Sequence, residues 1–565
     1  MIENNLKKLK SNFKSLGIDG YVVPKNDEYF SEYSEFNRLQ IISNFSGSAG
    51  YAIILKNKNY LFVDGRYTLQ AQIESSNNFK IVNYKRIINC NLFKNLTLGI
   101  NPKLFFSKQI KKYFKKNNKV KIINFDLIQK ILKKKTKKIK PFFSLTKNIV
   151  GEDFKSKIKK TCKYLKKIKS NYFFITAPEN ISWLLNIRGF DNPNSPMCNC
   201  HLFLDEKENF FLITKKTKVK NLIKEKKINL QQIIEPSEFN SFIDKFKNGS
   251  ILLDSQTCSI FYEKILNKKF KILNKEDPIY KFKSIKNKIE IKNMINSHIY
   301  DGVALTKFIY WIKKINKKKI TEYAAQNKLE KFRKKNKNYL FPSFNTIAGS
   351  GKNGAIIHYR ATKKNTKILN KKDIFLCDSG GQYKYGTTDV TRTICFSKPN
   401  KKIKNIFTKV LKGHIAVATT DLNKDKCGRL IDIRARKFLK KENLDYEHGT
   451  GHGVGFFLNV HEGPQAISKY NNVKINEGMI LSNEPGYYKK GQFGIRIENL
   501  IYVKKLNKKL IFENLTLAPI DKDLIDYQQL TKNEKDYLFK YNLLVYSKLS
   551  PYLTKNEKKW LVSFF

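Results

Sequence analysis

A repeated module constrains the fold of the first half of this chain more than any other feature. The stretch at 3–19, with an amphipathic helix predicted at 2–16, resembles the helical stretch at 151–169, and each leads into a short apolar strand pattern. Two short runs then follow in each copy, GYAIILKNKNYLFVD in the first and HLFLDEKENFFLIT in the second, and both are typical of an antiparallel strand pair. We therefore predict an internal duplication of one α/β module.

The length of 565 residues requires further domains, because one hydrophobic core usually organises about 150 residues. The Lys-rich stretch at 129–141 ends in proline and indicates a linker after the first module. From about residue 280 the pattern changes to two long amphipathic helices, 286–314 and 320–336, and then to strands rich in Gly, Thr and charged residues. We predict a first module at 1–140, a second module at 141–280, a third domain at 281–515 and a C-terminal helical extension at 516–565 that lies on the surface without chemistry of its own.

The charge of the chain is strongly positive, since 110 basic residues face 48 acidic ones and give a net charge of +62. Such a charge is typical of proteins that bind nucleic acid or anionic membranes. The lysines, however, are spread along the whole chain together with many Asn and Ile, all residues that A/T-rich codons encode. No basic heptad helix, zinc-finger spacing or RNP-like signature is present. We attribute the charge to genome base composition and predict no specific nucleic-acid partner.

The cysteines and the N-terminus bear on the compartment. The eight cysteines form no C-x-x-C pair and no zinc-ribbon spacing, so we predict scattered reduced thiols. The first residues lack the apolar stretch and the small-residue cleavage site of a secretory signal. No apolar run approaches the roughly 20 residues that a membrane-spanning helix needs. We predict a cytoplasmic protein without a membrane partner.

Carboxylates recur on the predicted strands of the third domain. Asp378 and Asp389 stand 11 positions apart around the turn sequence GGQYKYG, so two antiparallel strands would project both carboxylates to one side. Glu484 and Glu498 lie in a second predicted strand pair. A desolvated carboxylate is costly unless a cation neutralises it. Four converging carboxylates would repel one another, and two divalent ions would supply the missing positive charge and activate a water.

The joint pattern resembles a known family. The segments DSGGQYKYGTTDVTRT, HGTGHGVGFFLNVHEGP, EPGYY and FGIRIEN resemble the pita-bread metallopeptidases, most closely the three-domain, cytosolic-type aminopeptidase P branch, and FVDGRYTLQA and ISWLLNIRGFDNPNSP resemble the two N-terminal modules of that branch. The resemblance covers nearly the whole chain. It implies a mixed α/β and α+β protein with two creatinase-like N-terminal α/β modules followed by a C-terminal pita-bread catalytic domain.

The resemblance also implies five metal ligands, which are Asp378, Asp389, His452, Glu484 and Glu498. Asp389 and Glu498 would bridge two divalent ions. Asp378 would complete the site of one ion, and His452 with Glu484 would complete the other. This set of carboxylates with one imidazole suits Mn²⁺, the metal usual in the family, although ligand type alone leaves Zn²⁺, Co²⁺ and Fe²⁺ open.

The resemblance assigns catalytic roles beyond metal binding. A hydroxide between the two ions would attack the peptide bond, and Glu484 would accept its proton and pass it to the departing nitrogen. His358 and His461 would hydrogen-bond the substrate carbonyl or the tetrahedral intermediate, with a structural loop role as the alternative. Arg496 would orient a carboxylate or the intermediate, since it shares a strand face with the ligand two positions later. Tyr488 matches an active-site tyrosine of the family, with hydrophobic packing as the alternative.

The activity that the resemblance implies is removal of the first residue from peptides with proline in the second position, by a homodimer. Proline there makes the scissile bond a tertiary amide without an N–H, which a shaped apolar pocket can hold. Three alternatives share the fold: a prolidase that cleaves only Xaa-Pro dipeptides, a creatinase-type hydrolase, and an inactive relative that acts as a binding module. The duplicated modules, the C-terminal extension and the complete ligand set favour the aminopeptidase.

Overall fold

The computed structural model describes residues 1–65, 67–87, 92–114, 117–132 and 140–565. Residues 133–139 of the predicted linker and Cys90 lie outside the described residues. The chain divides into two compact units, Met1–Ile279 and Tyr280–Phe565. The seven described cysteines are free, which confirms the predicted thiols there. Within the described ranges, every helix is too short or too polar to cross a lipid bilayer.

The first unit contains two successive modules, each built around its own sheet. The first module contains α1 (Ile2–Lys10), β1 (Gly20–Pro24), α2 (Arg38–Ser43), β2 (Tyr51–Leu55), β3 (Asn59–Val63), α3 (Thr68–Ser75), β4 (Lys80–Asn83), β5 (Thr97–Ile100), α4 (Ser107–Tyr113), β6 (Lys119–Ile122) and α5 (Leu127–Leu132). The second contains β7 (Phe143–Ser144), α6 (Lys147–Val150), α7 (Phe154–Lys167), β8 (Tyr172–Ile175), α8 (Pro178–Leu184), β9 (Ile187–Arg188), β10 (His201–Asp205), β11 (Phe210–Ile213), α9 (Lys220–Lys224), β12 (Ile233–Ile234), α10 (Phe239–Asp244), β13 (Gly249–Leu253), α11 (Ile260–Asn267) and β14 (Phe270–Asn274).

The two modules share one sheet topology. The strand orders are β4-β3-β2-β1-β5-β6 and β12-β11-β10-β8-β13-β14, so the first strand of each sheet is central and carries an antiparallel pair on one side. Two parallel strands extend each sheet on the other side. This correspondence confirms the predicted duplication, because identical order and direction in two six-stranded sheets require the same succession of crossovers.

The first helix is shorter than its sequence pattern predicts. α1 ends at Lys10, and turns at 11–17 replace the rest of the helix predicted at 2–16. The side chain of Asn12 donates to the carbonyl of Lys8, and the hydroxyl of Ser15 donates to the carbonyl of Asn12. Such local side-chain bonds offer the backbone an alternative to the helix, which the apolar periodicity does not reveal.

The second unit packs helices against several small antiparallel sheets. Its helices are α12 (Ile279–Ser284), which begins at the last residue of the first unit, α13 (Lys288–Lys314), α14 (Glu322–Arg333), α15 (Lys401–Ala418), α16 (Gly428–Lys440), α17 (Lys532–Leu549) and α18 (Lys555–Val562). Its strands are β15 (Tyr339–Pro342), β16 (Ile347–Ser350), β17 (Ile374–Ser379), β18 (Gly381–Tyr383), β19 (Gly386–Thr387), β20 (Val390–Cys395), β21 (Gly451–Gly453), β22 (Glu462–Ile467), β23 (Ile480–Asn483), β24 (Gly486–Lys489), β25 (Phe493–Arg496), β26 (Asn499–Leu506) and β27 (Lys509–Asn514).

Two sheets of the second unit carry the predicted ligands. One has the order β16-β17-β20 and the other the order β22-β21-β23-β26-β27. The two long helices begin close to their predicted positions, since Asn287 caps α13 and Thr321 caps α14 by accepting backbone N–H bonds.

Two expectations about the second unit are wrong. The sequence GGQYKYG is not a tight turn, because it contains β18 and the first residue of β19, and these two strands join β15 in a separate three-stranded sheet. The buried Gln382 side chain anchors this excursion by donating to the carbonyl of Leu458. The C-terminal extension is not confined to the surface either, since α17 buries Leu538, Tyr541 and Val545 in the core.

Candidate metal centre

Strand ends of the two ligand-bearing sheets place the five predicted ligands. Asp378 lies on β17 and Asp389 directly precedes β20, its antiparallel partner. Glu484 follows β23 and Glu498 precedes β26, and these two strands also pair with each other. His452 lies on β21, which pairs with β23. Antiparallel pairing therefore brings together side chains that are far apart in sequence.

The predicted ligand atoms converge. Oxygen or nitrogen atoms of Asp389, His452 and Glu498 all lie within 4.8 Å of one another. The Nε2 atom of His452 lies 3.5 Å from Asp389 Oδ2 and 3.7 Å from Glu484 Oε1. Ligands that bind one first-row metal at about 2.1 Å stand roughly 3–4 Å apart. These separations therefore match donors that share an ion.

The imidazole of His452 is held in the orientation that a metal ligand needs. Its Nδ1 atom lies 2.9 Å from the carbonyl of Gly453, which is a hydrogen-bond acceptor. Nδ1 therefore carries the proton, and the lone pair of Nε2 faces the carboxylates.

The electrostatics of the carboxylates fit divalent cations. Burial raises the pKa of Asp378 to about 7, with Asp389 and Glu484 acting in the same direction and Arg496 opposing them. Burial, with Asp389 next, also raises the pKa of Glu498 well above its usual range. Asp378 Oδ1 is buried and accepts no hydrogen bond within the described part of the chain. Buried carboxylates with an orphaned oxygen are what a cation would stabilise, so the residues present fit a metal centre.

Thr391 joins two parts of the site. Its hydroxyl donates to Glu498 Oε2 over 2.6 Å and accepts from Arg496 Nε over 3.0 Å. Arg496 in turn donates from Nη2 to Asp378 Oδ2 over 2.5 Å. Thr391 therefore contacts both Arg496 and the carboxylate of Glu498, and the predicted role of Arg496 stays a prediction.

A hydrogen-bonded line extends from Asp378 to a histidine outside the predicted site residues. Arg496 Nη1 donates to the hydroxyl of Tyr488 over 2.6 Å, and that hydroxyl lies 2.8 Å from His448 Nε2. His448 Nδ1 lies 3.8 Å from Glu484 Oε2. Burial lowers the pKa of His448 to about 4. Tyr488 therefore makes polar contacts at the site rather than packing alone.

The two predicted substrate histidines occupy different surroundings. His461 is exposed, and its ring lies 4.3 Å from the ring of His452, which places it at the edge of the ligand cluster. His358 is half-buried on the loop after Gly354, whose backbone packs against Gly494 in the strand that carries Arg496. The catalytic roles of both histidines stay predictions.

His448 and Thr391 are the site residues that sequence reasoning missed. His448 precedes the predicted ligand His452 by four positions in HGTGH, so its closeness to the site along the chain was visible. Thr391 follows Asp389 by two positions, so both face the same side of an extended segment. Either spacing was visible in the sequence, but only the partners across the sheets show what these residues contact.

Family models match almost all of the chain. Residues 5–131 match the creatinase/prolidase N-terminal domain, and residues 133–290 match a second model of that domain. Residues 292–505 match metallopeptidase family M24, and residues 508–563 match the C-terminal region of peptidase M24. A Coprinopsis cinerea protein described as a probable Xaa-Pro aminopeptidase P is 35% identical over 98% of this chain and 96% of its own length.

The chain belongs to metallopeptidase family M24. Another M24 relative, the Xaa-Pro aminopeptidase 1 of Dictyostelium discoideum, is 35% identical over 99% of this chain and 96% of its own length. The crystal structure of an X-prolyl aminopeptidase from Caenorhabditis elegans, described as a cytosolic enzyme with a di-nuclear active site, superposes with a TM-score of 0.89. It is 28% identical and covers 100% of this chain and 99% of its own.

These matches confirm three predictions for this M24 protein. The resemblance to the three-domain aminopeptidase P branch is confirmed by the relatives and by the Caenorhabditis structure. The predicted fold class, two creatinase-like modules followed by a pita-bread catalytic domain, is confirmed as well. The chain is a metallopeptidase, so the prediction of a hydrolytic enzyme also holds.

Proposed function

We propose that this protein is an Xaa-Pro aminopeptidase, which removes the first residue from peptides that carry proline in the second position. The convergence of Asp389, His452 and Glu498, with Asp378 and Glu484 beside them, carries the proposal. The names of its full-length relatives and the di-nuclear active site of the Caenorhabditis enzyme support it.

We propose that all five residues are metal ligands, with Asp389 and Glu498 shared between two ions. Divalent cations bound there, for which Mn²⁺ is our prediction, would neutralise the carboxylates, polarise the scissile carbonyl and supply the attacking hydroxide. Carboxylate oxygens with one imidazole support Mn²⁺, and the donor set also accommodates other first-row ions.

The residues of the chain would manage the proton and the substrate. Glu484 is only partly buried, and its Oε1 is oriented by the hydroxyl of Ser482 at 3.4 Å, so we propose that it accepts the proton of the attacking water and returns it to the leaving nitrogen. His461 would donate to the oxygen that gains charge, with His358 as its predicted partner. Arg496 and Tyr488 would keep the carboxylate of Asp378 in place.

The remaining features of the proposal concern the whole molecule. Both creatinase-like modules and the C-terminal region are present, which supports the aminopeptidase over a prolidase restricted to dipeptides. A cytoplasmic homodimer is our proposal for location and assembly. The division of the chain after residues 140, 280 and 515 stays a prediction.

A peptide panel tests the proposed function. Purified protein loaded with Mn²⁺ is assayed against Arg-Pro-Pro, Gly-Pro and a tripeptide without proline. We expect release of the first residue from Arg-Pro-Pro and loss of that activity in Asp389→Ala, with metal content measured in both proteins. Cleavage of Gly-Pro alone would indicate a prolidase. Full activity in Asp389→Ala would contradict the ligand assignment.

A further inference from the structure

A buried arginine of β20 contacts both the predicted metal ligand Glu498 and the C-terminal extension. Arg392 lies on β20, three positions after the predicted ligand Asp389, and it is only 3% exposed. Its guanidinium donates to six acceptors, which are the carbonyls of Thr391, Glu498, Ala518 and Pro519, the amide oxygen of Asn499 and the hydroxyl of Tyr541. All six are neutral, so the buried charge of Arg392 depends on each of these dipoles.

One side of this guanidinium holds Glu498. Nη1 donates to the carbonyl of Glu498 over 2.6 Å and to the carbonyl of Thr391 over 2.8 Å. The Glu498 amide donates to the same Thr391 carbonyl over 3.1 Å, and the Thr391 hydroxyl donates to the Glu498 carboxylate. The backbone and the side chain of Glu498 are therefore fixed by two adjacent residues of β20.

The other side of the guanidinium belongs to the C-terminal extension. Nη2 donates to the hydroxyl of Tyr541 over 3.0 Å and to the carbonyl of Ala518 over 2.9 Å. Tyr541 lies on α17, is 3% exposed, and its hydroxyl lies 2.8 Å from the carbonyl of Ala518 and 3.1 Å from that of Thr516. The phenol of Tyr541 thus accepts from Arg392 and donates to the backbone between β27 and α17. These bonds hold the guanidinium in one orientation.

We infer that α17 is a positioning element of the metal centre, in which Tyr541 orients Arg392 and Arg392 holds the metal-binding geometry of Glu498. The inference rests on the proposed function, because it takes Glu498 as a ligand. It gives the extension a role in metal binding that goes beyond packing. Residues that orient metal ligands typically change metal affinity or activity 10–100-fold when they are replaced.

A pair of matched variants tests this inference. Tyr541→Phe removes the hydroxyl that Arg392 contacts. Tyr537→Phe removes a hydroxyl one turn earlier on α17. The Tyr537 ring stacks on that of Tyr541 with centroids 6.5 Å apart, and its hydroxyl accepts a hydrogen bond from Asn514. The Mn²⁺ dissociation constant of each full-length, metal-stripped protein is measured by chelator competition. Thermal unfolding checks that each variant is folded. The values of kcat and KM are measured on Arg-Pro-Pro after Mn²⁺ is restored.

We expect Tyr541→Phe to weaken Mn²⁺ binding about tenfold and to lower kcat at unchanged KM, whereas Tyr537→Phe binds Mn²⁺ like the unmodified protein. Arg392→Lys should weaken binding further, and the double variant should be no worse than Arg392→Lys alone, because both changes act on one contact. A Tyr541→Phe variant that binds Mn²⁺ as tightly as the unmodified protein would overturn the inference while leaving the proposed function intact. Absence of Mn²⁺ binding by the unmodified protein would overturn the inference together with the proposal that Mn²⁺ is the metal of this site.

Discussion

One hydroxyl group joins the arginine and the histidine of the candidate site. His448 Nδ1 lies 2.7 Å from the carbonyl of Gly449, an acceptor, so Nδ1 carries the proton and Nε2 accepts from Tyr488. Because burial lowers the pKa of His448 to about 4, this ring is neutral at pH 7. The oxygen of Tyr488 is then left to accept from Arg496. Each bond therefore has one direction: Arg496 donates to the carboxylate of Asp378 at one end and to Tyr488 at the other, and Tyr488 donates to His448.

Tyr488→Phe tests this line at the residue scale. The change leaves Arg496 Nη1 and His448 Nε2 without their shared partner and loosens Arg496 against Asp378. We expect kcat on Arg-Pro-Pro to fall about 10–100-fold with little change in KM. Tyr487→Phe is the control, because that neighbouring ring packs against Phe493. Indistinguishable kinetics of the two variants would show that the Tyr488 hydroxyl does not serve the reaction.

The start of β22 is tied to the residues around α12 by a buried cluster with an excess of positive charge. The carboxylate of Glu462 receives Lys283 Nζ at 3.0 Å and also Lys286 Nζ, and all three side chains are at most 2% exposed. Glu462 directly follows His461, so the cluster fixes the end of the loop that carries this predicted substrate contact. Both buried ammonium groups therefore depend on the negative charge of the Glu462 carboxylate.

We predict that Glu462→Gln, at the start of β22, destabilises the protein. The change leaves two ammonium groups buried beside a neutral amide, which costs about 3–5 kcal/mol of stability for a broken buried pair. The unfolding midpoint should fall by roughly 6–20 °C at about 2–4 °C per kcal/mol. Glu513→Gln is the control, because Lys504 and Glu513 form a pair 2.8 Å apart with side chains 44% and 41% exposed, and such a pair contributes little. Equal melting curves for the two variants would contradict this account.

Element positions were predictable where local patterns decide them. The strand predicted at 51–55 is β2 (Tyr51–Leu55) without change, and α13 ends at Lys314 as predicted, because alternation and helical periodicity are properties of the local sequence. The segment GGQYKYG was mispredicted because its two short strands exist only through pairing with β15 and with each other. A local sequence pattern does not show which distant strand will pair with a segment.

At the scale of the whole molecule, duplication and the ligand set could be read from the sequence, and the buried polar groups could not. The repeat was visible because both modules present the same order of periodic segments. Arg392 and Lys286 looked like two of 110 basic residues, and only tertiary packing shows that they are buried against specific acceptors. The same limitation made the extension look like a surface feature, since the helical pattern of α17 does not single out Tyr541.

His201 offers a test of how burial makes the first unit sensitive to acid. It begins β10, and its ring lies 4.5 Å from the ring of Tyr262, 5.0 Å from that of Tyr29 and 5.7 Å from that of Phe174. Burial lowers the pKa of His201 to about 3, against about 6.5 in the unfolded chain. The unfolded chain therefore binds the proton first, so the stability is complete above pH 6.5 and falls as the pH drops toward 3.

His201→Phe keeps an aromatic ring in this cluster and removes the base. The hydrogen bond between the imidazole and the backbone of Thr176 is lost at every pH, so the informative quantity is the change in stability between pH 7.5 and pH 5.0. Between pH 7.5 and pH 5.0, protonation of this histidine stabilises the unfolded chain by about 2 kcal/mol and lowers the free energy of unfolding by the same amount. His201→Phe has no such group and does not lose this stability. We expect the unfolding midpoint of the variant to drop less on acidification than that of the unmodified protein, because all other titrating groups are common to both. Parallel pH dependences would mean that the proton affinity of His201 does not differ between the folded and unfolded chains.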